Sequence, residues 1–259
     1  MSDTNIKVYK KINLNLKKPK HYKLFIEPYP NIFICARKKS GKTILIQNII
    51  NKSYGENTKV LIISSSHDRD GQYASIKKMM DKLNIIYHCT KDINFLEHII
   101  NSEDNNNTDT NENNVITTSY MNFNKAKKII KKKKEEKYIK PKYVIIIDDM
   151  GRSITRNNIL DKFLKTNRHY KAMIVISSQY IKDLQPSMLN NLDYLLLYKI
   201  PDNKDILKHI YMNINISDDF ETFKLMYDEA TKKKYSFLYI DINNSLYRIN
   251  FNKSIRKIK

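Results

Sequence analysis

Residues Ala36-Arg37-Lys38-Lys39-Ser40-Gly41-Lys42-Thr43 stand between a short apolar run, Asn31–Cys35, and a segment of helical periodicity, Lys42–Lys52. The pattern is that of a phosphate-binding loop with Ala36 where the first glycine usually stands. The chemistry accounts for the residue types. Successive backbone N–H groups and a helix start converge on a β-phosphate, and Gly41 lets the chain approach it closely. Lys42 then reaches the β- and γ-phosphates, and the Thr43 hydroxyl holds Mg²⁺. The plainer alternative is a structural turn that binds nothing.

Four more short apolar runs repeat the strand, loop, helix order: Val60–Ser64, Tyr143–Ile147, Met173–Ser177 and Tyr194–Tyr198. About five residues long and rich in isoleucine and valine, they read as strands covered on both faces. Helices are expected at Ser75–Leu83, Phe123–Lys134, Asn157–Thr166 and, as a short turn, Ser187–Asn191. The alternation indicates an α/β fold with a mainly parallel central sheet. Two strands end in polar residues of chemical interest. Tyr143–Ile147 runs into Asp148 and Asp149, where Asp148 suits a Mg²⁺ partner and Asp149 a base for an attacking water. Acids at strand ends also merely cap helices. Met173–Ser177 continues to Ser178 and Gln179, whose amide both donates and accepts and so suits a sensor of γ-phosphate or water. Loop, acid pair and amide would share the carboxyl edge of the sheet, where open α/β sheets bind ligands.

The C-terminal part reads as two helices, Asp202–Met212 and Asp218–Lys232, then a β-hairpin, Ser236–Ile242 and Ser245–Asn250, turning at Asn243-Asn244. It is either an added sheet edge or a subunit contact. The stretch Asn101–Asn114 has no apolar residue and reads as a mobile surface loop, whereas Lys125–Lys142 concentrates positive charge. The whole, 1–259, reads as one domain with a nucleotide-binding core at 30–200. Over its 259 residues the chain carries 47 Lys+Arg against 27 Asp+Glu, a net charge of +20, with 41% hydrophobic residues. That content excludes a disordered tail and is enough for a sizeable core. The charge suits a polyanion partner, but Lys, Asn and Ile are frequent throughout while glycine numbers 4 and tryptophan 0, so coding composition is the competing account. No apolar stretch is long enough for a membrane span, and a soluble, intracellular protein without membrane contact is expected. Cys35 and Cys89 have no close partner for a disulfide or zinc, and His67, His88, His98 and His209 lack metal-ligand spacing. His169 is the histidine worth testing. No aromatic-basic repeat marks a single-strand platform.

Three segments, ARKKSGKT (36–43), YVIIIDDMG (143–151) and TNRHYKAMIVISSQY (166–180) followed by LQPSMLNNLDYLL (184–196), together resemble the genome-packaging ATPases of poxviruses, related large DNA viruses and their virophages, a viral branch of the FtsK–HerA superfamily. The resemblance covers about residues 31–200. It implies a three-layer, RecA-like P-loop NTPase fold and an ATP- and Mg²⁺-dependent motor moving double-stranded DNA into a capsid. It also implies a ring of subunits, six being the expected number, contact with capsid proteins, and residence in a viral factory or virion. The strand ending in Gln179 would lie between the phosphate-loop strand and the acid-pair strand. A basic residue would reach a neighbour's γ-phosphate: Arg168 first, with Arg152 and Arg156 behind it. The chain departs from the pattern at Ala36 and at Asp149, where many relatives outside the viral branch carry glutamate. A P-loop kinase with a small acceptor and a non-hydrolysing DNA or capsid scaffold are the alternatives.

Overall fold

Neighbouring residues of the apolar runs go to opposite faces of one sheet. Ile32, Ile34, Val60, Ile62, Val144 and Ile146 enter one core, and Phe33, Cys35, Leu61, Ile63, Ile145 and Ile147 enter the other. Period-2 alternation with both faces apolar is what a covered parallel sheet requires. The computed structural model describes residues 17–105, 138–155, 157–200, 204–214 and 219–255. In chain order the elements are β1 (Asn31–Cys35), α1 (Lys42–Ser53), β2 (Lys59–Ser64), α2 (Gly71–Lys82), β3 (Ile86–Thr90), α3 (Leu96–Asn105), β4 (Tyr143–Asp148) and α4 (Asn158–Thr166). There follow β5 (Ala172–Ser178), α5 (Pro186–Leu189), β6 (Tyr194–Tyr198), α6 (Lys204–Asn213), α7 (Phe220–Ala230), β7 (Phe237–Asp241), β8 (Leu246–Ile249) and β9 (Lys253–Ser254).

The strands form one nine-stranded sheet in the order β3-β2-β4-β5-β1-β6-β7-β8-β9. From β3 to β6 all neighbours are parallel, and from β6 to β9 they are antiparallel. Helices α1 and α2 cover one face through Ile46, Ile49, Ile50, Tyr73, Ile76 and Met80. The other face is covered by α3 to α7, with Phe163 and Phe223 fully buried. Burying each such side chain contributes about 1.5–3 kcal/mol, so both layers are fixed by apolar area. The three-layer P-loop NTPase fold expected from the sequence is present, with β5 between β1 and β4. The C-terminal hairpin extends the sheet.

Several expectations need correction. An extra parallel strand, β3, forms the sheet edge; its Tyr87, His88 and Cys89 are only partly buried, so it lacks an apolar run. Helix α2 starts at Gly71 instead of Ser75 because the Asp70 carboxylate accepts the Gln72 N–H and caps it. The first residues of the supposed loop at 101–114 are the last turn of α3. Its remainder, the helix expected at Phe123–Lys134 and most of the basic run 125–142 lie outside the described residues. The hairpin turns with Ser245, φ 49°, in the left-handed conformation instead of Asn243 or Asn244. Asn244 serves the turn differently: its backbone N–H and side-chain amide donate to the Asp241 carboxylate.

Candidate active site

Register brings the strand ends together. Asp148 pairs with Ser64 on one side and Ser177 on the other, and Cys35 pairs with Ser178, so β2, β4, β5 and β1 end on one line. The Ala36 N–H donates to the Ser178 carbonyl at 2.9 Å, carrying the ladder one residue past β1 before the loop departs. The loop turns through Lys39 at φ 64° and Gly41 at φ 90°. Gly41 has a second constraint, since a Cβ there would lie 3.3 Å from Cδ1 of Tyr235. Side chains of Asp70, Asn157 and Asp219 cap α2, α4 and α7, but no side chain caps α1. A helix start whose N–H groups are not taken by a side chain is suited to an anion.

Lys42 lies at 2.9 Å from Oδ1 of Asp148, both groups being nearly buried. The other carboxylate oxygen of Asp148 accepts the Tyr73 hydroxyl at 2.5 Å. Burial and the adjacent Asp148 charge push the Tyr73 phenol well above its ordinary range, so it acts as a fixed donor. The next residue, Asp149, leaves the strand line at φ 53°, with its N–H donating to the Ser177 carbonyl and its carbonyl accepting the Ser65 hydroxyl. A left-handed aspartate is uncommon, and it places the two acids differently: Asp148 buried, Asp149 partly exposed. Lys42, Thr43, Asp148 and Asp149 all line one cleft of about 1000 Å³. Mg²⁺ needs few protein ligands where phosphates supply the rest, and the Thr43 hydroxyl with the Asp148 carboxylate fits that need.

Gln179 follows β5, and its carbonyl accepts a weak bond from the Cys35 thiol, 3.7 Å away. Burial pushes that thiol up to about 12, so Cys35 is a packing residue. Gln179 lines an adjoining cleft of about 590 Å³ on the Arg37, Lys38, Lys39 and Ser40 side of the loop. The two clefts share Lys38, Lys39, Tyr198 and Tyr235.

Arg168 lies at the opposite edge, in the turn that leads into the start of β5. Its guanidinium donates to Asp193 at 3.1 Å, and Asp193 also accepts the Asn31 N–H and the Asn243 amide. Burial raises the Asp193 carboxyl above its ordinary value. Because β1 and β5 are parallel, Arg168 is a strand's length away from this chain's own phosphate loop. Exposed Arg152 lies in the turn after β4 and does not line either cleft, whereas Arg156 lies outside the described residues. His169 is exposed beside Arg168. The sequence reading missed Tyr73 and Tyr235. The spacing of Tyr73, Ile76 and Met80 is a readable helical stripe, but nothing local marks Tyr235.

Solved structures share this fold. The genome packaging NTPase B204 of Sulfolobus turreted icosahedral virus 2 in complex with ATP-gammaS superposes with a TM-score of 0.52 at 18% identity over 86% of this chain and 97% of that one. Its complex with AMPPCP gives 0.54 and 20% over 87% and 98%. B204 described as the DNA-packaging ATPase of Sulfolobus turreted icosahedral virus gives 0.53 and 19% over 88% and 99%. The fold is that of the packaging NTPase B204. No protein-family model matches the chain. Among curated proteins it is similar to uncharacterized protein 075L of Invertebrate iridescent virus 6, 30% identical over 104 residues, 39% of this chain and 40% of that protein. It is also similar to uncharacterized protein 088R of Invertebrate iridescent virus 3, 31% identical over 103 residues, 39% of each. The matched segment thus spans about two fifths of these relatives' length. Among the described residues no helix is long and apolar enough to cross a membrane.

Proposed function

We propose that the chain is an ATP-hydrolysing motor that moves double-stranded DNA, packaging a viral genome into a capsid as a ring of subunits. The observation that carries this reading is the Lys42–Asp148 pair at the mouth of an uncapped α1, with Thr43 and Asp149 in the same cleft. The likeness to B204, solved with ATP analogues and named a packaging NTPase, supports it.

Lys42 has two uses. With no phosphate nearby it neutralises buried Asp148, and with nucleotide bound it turns to the β- and γ-phosphates while Tyr73 keeps the carboxylate oriented. Bound Mg²⁺ would supply charge neutralisation between the phosphates, held by Thr43 and Asp148. Asp149 takes the proton from a water attacking the γ-phosphorus, and the bond to the β-phosphate oxygen breaks, leaving ADP and phosphate. Gln179, in the adjoining cleft, orients the γ-phosphate or the water once the loop closes on nucleotide. Arg168, directed away from its own loop, acts on the nucleotide of the next subunit.

Duplex DNA is supported by the adjoining cleft. Arg37, Lys38, Lys39, Lys199, Lys232, Lys233 and Lys234 line it with no carboxylate, more concentrated charge than the overall composition accounts for. Phosphate release from ATP is the test, with and without long duplex DNA, at two salt concentrations. DNA is expected to stimulate hydrolysis at low salt and to lose that effect at high salt. Lys42→Ala abolishes both rates, and Asp149→Asn lowers kcat by about 10²–10⁴-fold while nucleotide still binds. Hydrolysis indifferent to DNA removes the motor, and phosphate transferred to a small acceptor replaces it with a kinase.

A further inference from the structure

The cleft that holds Lys42 and Asp148 extends beyond what a triphosphate fills. It continues along the outer face of α1 past Ile44 and Asn48 to Tyr235, Asn250 and Phe251. Two of its residues are unusual. Tyr235 carries φ 68°, a left-handed conformation that a bulky side chain rarely adopts and that persists only where surrounding structure imposes it. Tyr235 is nevertheless 56% exposed, and Ile44, in the first turn of α1, is 60% exposed in the same cleft. Two large apolar surfaces left open beside a phosphate loop are an expense in water.

The ring also has neighbours on the protein side. It rests against Gly41, where a Cβ would approach Cδ1 to 3.3 Å, and the Lys234 ammonium lies 4.9 Å from its centroid. The antiparallel hairpin makes this possible. Phe237 starts β7 opposite Tyr198, at the carboxyl edge of β6, and β8 returns to that edge to deliver Asn250 and Phe251. The Asn250 amide is held by the Phe237 N–H, which donates to its Oδ1 at 3.1 Å. Asn48, four residues after Ile44, shares its helix face and is exposed.

We propose that Tyr235 and Ile44 bound a slot for the nucleobase, with the amides of Asn48 and Asn250 at its polar margin, and that this slot makes the site prefer purine over pyrimidine nucleotides. A flat π face beside an apolar edge rewards the larger ring system, and amides offer both donor and acceptor to its edge. The inference rests on the nucleotide site proposed above, and inorganic tripolyphosphate separates the two because it fills the phosphate loop and has no base.

Calorimetric titrations of the full chain with ATP, CTP and tripolyphosphate, each with Mg²⁺, test it in wild type, Tyr235→Ala, Tyr235→Phe and Lys42→Ala. The slot predicts that wild type binds ATP more tightly than CTP. Tyr235→Ala weakens ATP about tenfold or more and leaves tripolyphosphate unchanged, while Tyr235→Phe keeps the wild-type preference. Equal losses of ATP and tripolyphosphate in Tyr235→Ala mean that the ring only supports the loop, and unchanged ATP affinity means that it touches no base; either result overturns the slot and leaves the nucleotide site standing. Wild type binding neither ligand, or Lys42→Ala binding both normally, overturns the nucleotide site and the slot with it.

Discussion

His21 is fully buried against Phe25 and bonded through Nε2 to the Glu27 carbonyl, in the segment that leads into β1. Desolvation holds it neutral, with its pKa pushed down from 6.5 to about 4. The unfolded chain therefore binds the extra proton first on acidification, and stability is full above pH 6.5 and falls as the pH drops toward 4. Over that window the loss is about 3 kcal/mol. Urea unfolding at pH 7 and pH 5 is expected to show it in wild type, and His21→Gln is expected to flatten the slope. The same scale separates what single residues disclose. Lys42, Thr43 and Asp148 were readable because backbone connectivity alone places them. Tyr73 donates to an acid 75 positions away, and Tyr235 meets Gly41 only through the fold, so neither role has a local signature. Arg168 was read as an arginine reaching a neighbour's phosphate, but its partner Asp193 was not foreseen, because their contact depends on how the starts of β5 and β6 flank β1.

At the scale of elements, the strand–loop–helix unit of β1 and α1 depends on one conformation. Gly41 at φ 90° ends the loop, starts the helix and supports Tyr235. Gly41→Ala places a Cβ in a left-handed residue at close range to an aromatic ring, a strain of about 1–2 kcal/mol. The loop relieves it by shifting, and the loop is the proposed phosphate site. Nucleotide affinity measured by titration is thus expected to fall about tenfold or more while the unfolding midpoint moves only slightly, since the cores on either sheet face are untouched. Buried elements were legible for a physical reason: β1, β2, β4, β5 and β6 are covered on both faces and consist of apolar runs. Strand β3 was not, because an edge strand half-covered by helices needs no such run, and its Tyr87, His88, Cys89 and Thr90 carry no periodic signal. Helix starts moved for a similar reason, since a capping acid such as Asp70 outranks the apolar pattern in deciding where the first turn forms.

For the whole molecule, the sheet order sets the division of labour. The carboxyl edge holds the Lys42–Asp148 cleft, the basic cleft beside it and the hairpin aromatics, while the opposite edge holds Arg168 and Asp193. A molecule with phosphate chemistry on one rim and an exposed arginine on the other is suited to head-to-tail contact, the kind of heterologous packing that closes into rings. In the proposed ring, each step of hydrolysis would be tied to a neighbour and to the DNA that the ring would enclose. The most direct test of motion is displacement of a third strand from a triplex on linear duplex DNA, followed in real time with ATP and Mg²⁺. The account predicts ATP-dependent displacement that stops with AMPPCP and is absent in Lys42→Ala. ATP hydrolysed at full rate on the same DNA with the third strand left in place would contradict it.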